Sequence, residues 1–218
     1  MIGFVRLQSL EKELAREPES EEELPHYKGY WTRASSYLLD LVFFGLFLAI
    51  TPYFGWMFLV AAVPIQWLQP VQEVDEAMRA ALVLHWPASF IAYFVIFEWL
   101  AGATPSKLLH KMRVVKIDGA PCGPLAALVR ALMRLVDGFF FGIVAAISMS
   151  PPLHQRLGDR LARTVVVAAG DPLIRQPRAW RRILVALVVY LVIALGLFVF
   201  MVLMVAGAAP SGAGGATI

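Results

Sequence analysis

The stretch YWTRASSYLLDLVFFGLF, residues 30–47, decides the fold class, because it has the composition of a membrane helix and yet contains charged residues. Arg33 lies near its start and Asp40 lies well inside it. A charged residue at the centre of a spanning helix costs on the order of 2.5 to 3.5 kcal/mol on insertion scales. Arg33 can extend its side chain to the headgroups, whereas Asp40 is too short to do so. The stretch therefore predicts a membrane helix whose aspartate needs a partner.

The composition of the chain is that of an integral membrane protein. Of its 218 residues, 59% are hydrophobic and 16% are charged, against about 25% charged in soluble domains. Residues 1–23 have no apolar core and no small-residue cleavage site, so we do not expect a signal peptide there. The single cysteine, Cys122, excludes an intrachain disulfide and a multi-cysteine metal site. The net charge of +3 is spread over loops, so it bears on topology, and we expect no nucleic-acid partner.

Three uncharged runs predict full membrane spans. Residues 41–72 contain no Asp, Glu, Lys or Arg, and as a straight helix they would reach about 48 Å. One bilayer core needs only about 20 residues. The run must therefore bend at a proline or glycine, which places the first span near residues 33–51 or a few residues longer. The second span is predicted near residues 80–97 and the last at residues 183–207.

The remaining apolar segment, residues 124–150, is the third along the chain. It is a weaker candidate for a span, because only residues 138–153 are uncharged and they end near two prolines. Some 14 helical residues reach about 21 Å, which is short of a core about 30 Å thick. Both of its flanks are basic, and short basic loops stay in the cytoplasm. We therefore expect this third segment along the chain to enter and return, or to lie tilted at the inner face. The alternative is an ordinary span whose basic flank is forced outside.

The predicted fold is a small all-α membrane bundle of three full spans and a short re-entrant, interfacial or tilted helix, with a small cytoplasmic strand pair. The strands are predicted in RVVKI and TVVVA, because both are rich in β-branched residues. The predicted organisation in chain order is an acidic cytoplasmic N-terminal segment (1–26), a membrane domain (27–168), a basic cytoplasmic linker (169–182), the final transmembrane helix (183–207) and a disordered tail (208–218). The last span has few small or polar residues, so we expect it at the periphery, facing lipid.

Two segments place charged side chains on one face of a helix. On the first span, the i, i+3, i+4 and i+7 positions are Arg33, Ser36, Tyr37 and Asp40. On the third segment, the i, i+4 and i+7 positions are Arg130, Arg134 and Asp137. If these faces pack together, Asp40 would pair with Arg134, and Asp137 with Arg33. Such pairs either lock the helices together or form a titratable site that exchanges a proton or a cation.

Two further carboxylates, Asp159 and Glu98, each allow two interpretations. Asp159 follows a glycine in HQRLGDRLARTVVV, among several arginines. It is either a local cap in a basic amphipathic stretch or a residue at the polar mouth of the bundle, facing Arg33. Glu98 ends the second span, where it is either interfacial or part of an ion path. The histidines lie in different segments without metal spacing, and no nucleophile and base pair is readable. We therefore expect no metal site, no cofactor and no enzymatic activity.

These residues resemble the RDD family of bacterial and archaeal membrane proteins, named for one Arg and two Asp. The likeness runs from about Tyr27 to Ala168 and rests on YWTRASSYLLD, GATPSKLLHKMRVVKIDG, LVRALMRLVD and RLGDRLARTVVV. The first motif is similar to the family's opening, with Arg33 and Asp40. The second retains Gly102, Thr104 and Lys107. Asp159 matches the second named Asp, and Asp137 is the competing match. Ser106 and Arg163 replace glycines usual in the family.

The resemblance implies a helical membrane domain, for which transport of ions or small ligands is the usual suggestion, including cation–proton exchange. We expect a multi-pass protein of the bacterial inner membrane with a cytoplasmic N-terminus. The alternative is a non-catalytic scaffold or accessory subunit of a larger complex. Expected partners are the lipid bilayer and either a second copy of the chain or a membrane partner protein. The predicted polar network is Arg33, Asp40, Arg130, Arg134, Asp137 and Asp159, with Tyr37, Glu98, Lys107 and Arg160 as secondary candidates.

Overall fold

The structure is a computed structural model that describes part of the 218-residue chain. The described residues are 27–62, 75–139, 143–148, 154–172, 174 and 180–208. The predicted acidic segment 1–26, the loop between the first two spans, part of the predicted linker and residues 209–218 of the predicted tail lie outside the described residues.

Most of the described chain is helical. The elements are, in order, α1 (Tyr30–Ala62), α2 (Asp75–Leu100), α3 (Pro105–Leu109), β1 (Met112–Lys116), α4 (Pro124–Phe139), α5 (Ile143–Ser148), α6 (Leu157–Leu161), β2 (Thr164–Ala168) and α7 (Trp180–Ala208). Three helices are long and apolar enough to cross a membrane: α1, α2 over Val83–Leu100, and α7 over Arg181–Met204. The protein is therefore a helical membrane protein with a small sheet, as its composition predicted.

Helix α1 is longer than the predicted first span, because it continues through Pro52 to Ala62. A proline inside a helix lacks one backbone donor, yet here it does not end the helix. One face of α1 is buried at helical spacing throughout: Arg33, Ser36, Asp40, Phe44, Thr51, Gly55 and Leu59. The polar face predicted from the sequence is thus the N-terminal part of the face that packs inward.

The two strands hold distant parts of the chain together at one end of the bundle. They pair antiparallel, with Met112 opposite Ala168 and Lys116 opposite Thr164, and valines fill both strands. Tyr27, just before α1, bridges to Val167. The segment from residue 117 to residue 163 therefore begins and ends at the same strand pair, which also lies beside the start of α1.

Helix α4 is amphipathic with its polar face turned inward. Its buried residues are Ala127, Arg130, Ala131, Arg134 and Asp137, and its exposed apolar residues are Leu125, Leu128, Leu132 and Val136. A helix at the surface of a soluble protein has the opposite arrangement, with apolar residues inside. The outward apolar face suits contact with lipid. At 16 residues, α4 reaches about 24 Å.

The last span was expected at the periphery, facing lipid, and most of its residues are exposed or half-buried, but one stripe of the helix is buried against the bundle. Helix α7 packs against α2 more extensively than any other pair of described elements pack, and it also contacts α1. A stripe repeating every four residues is buried there: Ala186, Tyr190, Ala194, Phe198 and Val202. The two alanines allow close approach of the helices, and the aromatic rings fill the space beside them. The Phe198 ring lies against Gly55 of α1, where a Cβ would meet it at 2.3 Å.

Candidate functional site

Glu98, in the last turn of α2, lies at the centre of a buried charge network. Its side chain is 0% exposed. One carboxylate oxygen accepts from Lys107 Nζ at 2.6 Å and from Arg134 Nη2, and the other accepts from Arg130 Nε at 2.8 Å. Because three cations surround it, Glu98 is a fully compensated buried anion. The Glu98 side chain therefore faces the interior of the protein.

Arg130, on the inner face of α4, joins the two main anions of the network. Besides Glu98 it contacts Asp159 through Nη1, and it donates from the same atom to the Thr164 hydroxyl at 2.7 Å. The residue is 3% exposed. One guanidinium group thus connects α2, α4, α6 and the first residue of β2, which its planar, multi-donor geometry suits.

Asp159, in α6, holds the start of α1 to this network. Its carboxylate accepts from Arg33 Nη2 and Arg130 Nη1, and from the backbone N–H of Arg156 at 3.1 Å. Arg33 also donates to the His154 carbonyl at 2.6 Å. Burial alone would raise the pKa of Asp159, but the charges of Arg130 and Arg33 outweigh it and hold the pKa well below its usual range. Asp159 is therefore an ionised residue that faces Arg33.

Lys107 reaches Glu98 because the chain reverses direction after α2. Gly102 makes this turn with a φ of 67°, a left-handed conformation that glycine adopts without strain. Helix α3 then brings Lys107 back over the last turn of α2. Burial lowers the pKa of Lys107 to about 8, although the charge of Glu98 opposes this shift.

Asp40 has a different environment from the other two carboxylates. It is 1% exposed and accepts from the Thr104 hydroxyl at 2.6 Å, from the Tyr93 hydroxyl at 2.9 Å and from the Ser106 N–H at 3.4 Å. Among the described residues, no lysine or arginine forms an ion pair with it. Thr104 and Ser106 begin α3, so Asp40 accepts from backbone and side-chain donors at a helix start, where N–H groups lack helical partners.

The two predicted ion pairs are wrong among the described residues. Arg134 contacts Glu98 instead of Asp40, and its guanidinium lies over the Phe94 ring at 4.1 Å from the centroid. Arg33 contacts Asp159 instead of Asp137. The physical reason is that α3 and α6 insert their polar residues between α1 and α4. Asp137 is buried close to these groups but forms no direct ion pair with a described residue.

The secondary candidates separate into two groups. Glu98 and Lys107 belong to the network, and the Tyr37 ring packs near Phe94, with 6.1 Å between ring centroids. Arg160 is exposed, and it donates to the Ser148 carbonyl at 2.7 Å, outside the network. Tyr93 and Arg156 also lie at this site, although the sequence gives little sign of it. Arg156 is one of several arginines in its segment, and Tyr93 lies five positions before Glu98 without any motif around it.

A small cavity lies between Asp40 and the cationic groups. Its lining residues are Arg33, Ser36, Tyr37, Asp40, Lys107, Arg134 and Arg156. Its volume is about 10 Å³, which is close to what one water molecule needs. Two buried donors of the lining, Arg134 Nη1 and Arg156 Nε, have no hydrogen-bond partner among the described residues. Such groups are rare in protein interiors.

Gly158 determines how closely α6 approaches α4. A Cβ at this position would lie 2.7 Å from Met133 Cβ, so the helices would have to move apart. We expect Gly158→Ala to lower the free energy of unfolding by about 1 to 3 kcal/mol. Thermal unfolding in detergent measures this. The control is Gly123→Ala, because nothing lies within 4 Å of a Cβ there; equal melting temperatures for the two variants would contradict the close packing.

A family model described as RDD family matches residues 27–163 of the chain. The chain belongs to the RDD family. The matched segment contains every charged residue of the network and ends before α7 (Trp180–Ala208). No curated protein and no solved structure was found to match the chain.

The two departures from the usual pattern of the RDD family have different consequences in this member. Ser106 stands where a glycine is usual, and its hydroxyl donates to the Ser36 carbonyl at 2.6 Å, which adds a bond between α3 and α1. Arg163 stands at the second such position with a φ of 50°, so a conformation that favours glycine is retained without one.

Proposed function

We propose that this RDD protein handles ions in the membrane, and that Asp40 is the carboxylate that exchanges a proton during transport. One observation carries the proposal. Asp40 is buried inside a candidate membrane span, and its hydrogen bonds come from uncharged donors. Glu98 and Asp159, in contrast, are each held by at least two cationic side chains.

The difference between these carboxylates matters because protonation has different consequences for them. A proton on Glu98 or Asp159 would leave buried cations without their partner, which is strongly unfavourable. A proton on Asp40 breaks no ion pair, and a protonated carboxyl group keeps acceptor capacity for its present donors. Asp40, unlike Glu98 and Asp159, can therefore change its charge while the fixed ion pairs around it stay intact.

The proposal includes an orientation in the bacterial inner membrane. The loops at the strand-pair end are basic, and basic loops stay in the cytoplasm. We place the start of α1, the strands, α3 and α6 on that side, with three full spans. The strand pair joins both ends of residues 117–163, which supports an α4–α5 segment that enters and returns on one side.

Cysteine labelling tests this orientation. In a Cys122→Ser background we expect a cysteine at Asp118, exposed at the turn after β1, to be protected from a membrane-impermeant reagent in intact cells. A cysteine at Ala62, exposed at the end of α1, is expected to react. The same two variants in permeabilised cells provide the control, since both should then react. Labelling at position 118 and protection at position 62 in intact cells would reverse the proposed topology.

The second candidate function is a scaffold or accessory subunit without transport activity. The observation in its favour is the size of the cavity beside Asp40, which is about 10 Å³, together with only three candidate spans among the described residues. A pathway through one copy of so small a bundle needs either a second copy or a partner to complete it.

Purified protein in liposomes distinguishes the two functions. With an imposed pH gradient and a pH-sensitive dye inside, transport predicts proton movement that depends on the ions supplied, above the level of protein-free liposomes. An accessory role predicts no proton movement with any ion tested, together with a membrane protein that co-purifies at fixed stoichiometry. The second result would overturn the transport proposal.

A further inference from the structure

The cavity beside Asp40 is strongly unbalanced in charge. Of its seven lining residues, four carry a positive side chain and only Asp40 carries a negative one. Glu98, Asp159 and Asp137 compensate part of this charge from nearby positions, but they do not line the cavity. A cation placed here would face four positive groups in a region of low dielectric constant, where charge repulsion is large.

Two donors of the lining also lack an acceptor. Arg134 is 6% exposed, and its Nη1 has no hydrogen-bond partner among the described residues, although its Nη2 contacts Glu98. Arg156 Nε is likewise buried without a described partner. An unsatisfied buried donor is unfavourable, and more so when it is charged. The cavity thus combines excess positive charge with donors that need an acceptor.

We propose that this cavity binds a small inorganic anion of about the size of a halide ion, held by Arg134 and Arg156. The anion accepts hydrogen bonds from the two unpartnered donors and neutralises the excess charge of the lining. The volume of about 10 Å³ is close to what one water molecule needs, so a halide ion requires a small outward movement of the lining side chains and a polyatomic anion requires a larger one. The role of the bound anion in transport rests on the proposed function, whereas the binding of the anion is independent of that function.

The pKa values of two cationic groups at the cavity agree with this assignment. Burial and the neighbouring charge of Arg33 lower the pKa of Arg156 to about 10, and burial lowers the pKa of Lys107 to about 8. Both shifts come mainly from burial, so these charged groups lie in a poorly solvated environment. A bound anion would oppose both shifts, because an opposite charge nearby favours the charged form.

An anion in this cavity would lie beside the Asp40 carboxylate. Two like charges close together repel each other, so the anion and Asp40 would share the cationic groups of the lining. The charged and titratable groups around Asp40 are Arg33 and Tyr37 on α1, Tyr93 and Glu98 on α2, Lys107 on α3, Arg134 and Asp137 on α4, and Arg156 and Asp159 at α6. The cationic lining therefore suits an anion, and a cation is not expected to bind in this cavity.

The test compares the thermal unfolding of purified protein in sodium chloride and in sodium gluconate at equal ionic strength. At chloride concentrations well above its dissociation constant, we expect the melting temperature to rise by about 3 to 6 °C. Arg156→Gln is expected to abolish the rise. The matched control is Arg160→Gln, which removes an exposed arginine of α6 outside the cavity and should keep the full effect.

Every outcome of this comparison bears on the anion site. If Arg156→Gln does not fold, Arg156→Lys keeps the charge without Nε, and it should weaken the apparent chloride affinity about tenfold. No difference between chloride and gluconate in the wild type, or an equal rise in the Arg156 and Arg160 variants, would overturn the assignment. Chloride binding without proton movement in liposomes would overturn the transport function alone, and proton movement without a chloride effect would overturn the anion site alone.

Discussion

Replacing Glu98 with glutamine is expected to lower the free energy of unfolding by about 3 to 5 kcal/mol, which is enough to prevent recovery of folded protein in detergent. The reason is that three buried cations, Lys107, Arg130 and Arg134, lose the anion that compensates them. Glutamine has nearly the same shape, so the loss would come from the missing charge. Chemical denaturation or size-exclusion profiles of the purified variant measure it.

Two variants make the Glu98 prediction specific. Asp118→Asn removes a carboxylate at the exposed turn after β1, and it should leave stability unchanged. Glu98→Gln combined with Lys107→Met removes one cation together with the anion, so the double variant should recover part of the loss. A Glu98→Gln protein as stable as wild type would show that the network is not the frame of the fold.

Replacing Asp40 with asparagine is expected to leave the stability of the protein nearly unchanged and to abolish proton movement, in contrast to Glu98→Gln. The asparagine oxygen can still accept from Tyr93 and from the Ser106 N–H, which share one carboxylate oxygen of Asp40. The new amide group can donate to the Thr104 hydroxyl, so the protein should fold with a stability within about 1 kcal/mol of wild type. Asparagine cannot take up a proton, so proton movement in liposomes should fall to the level of protein-free liposomes. Dye-based flux measurements on both proteins at matched density check this.

The control for Asp40 changes its surroundings and keeps its carboxylate. Thr104→Val removes one donor to Asp40 and should retain proton movement above background. If Asp40→Asn transports as well as wild type, another group carries the proton. If Asp40→Asn fails to fold, as expected for Glu98→Gln, then Asp40 is part of the structural frame and the proposed division between the carboxylates is wrong.

The spacing of residues along α1 predicted which of its faces is buried, but the residues that this face contacts come from segments distant in sequence. The i, i+3 and i+7 pattern correctly selected Arg33, Ser36 and Asp40 as one face, and all three are buried. Their partners depend on α3 and α6, two helices of five residues each. Such short helices have weak periodic signals, so their insertion between the longer helices could not be read from the sequence.

The position of Glu98 and the buried face of α7 are two further features that could not be predicted from the sequence. Glu98 ends an apolar run, and nothing nearby in sequence indicates whether such a carboxylate turns toward headgroups or inward. Its partner Lys107 follows a turn whose direction is set by Gly102. In α7 nearly every side chain is apolar, so hydrophobicity cannot distinguish the face against lipid from the face that buries Ala186, Tyr190 and Ala194.

Infrared difference spectroscopy of the purified protein between neutral and acidic buffer tests most directly whether Asp40 exchanges a proton within a frame of fixed ion pairs. We predict a band of a protonated buried carboxyl group in the wild type on acidification. The band should disappear in Asp40→Asn and remain in Asp118→Asn. A wild-type spectrum without such a band, or the same band in Asp40→Asn, would contradict the account.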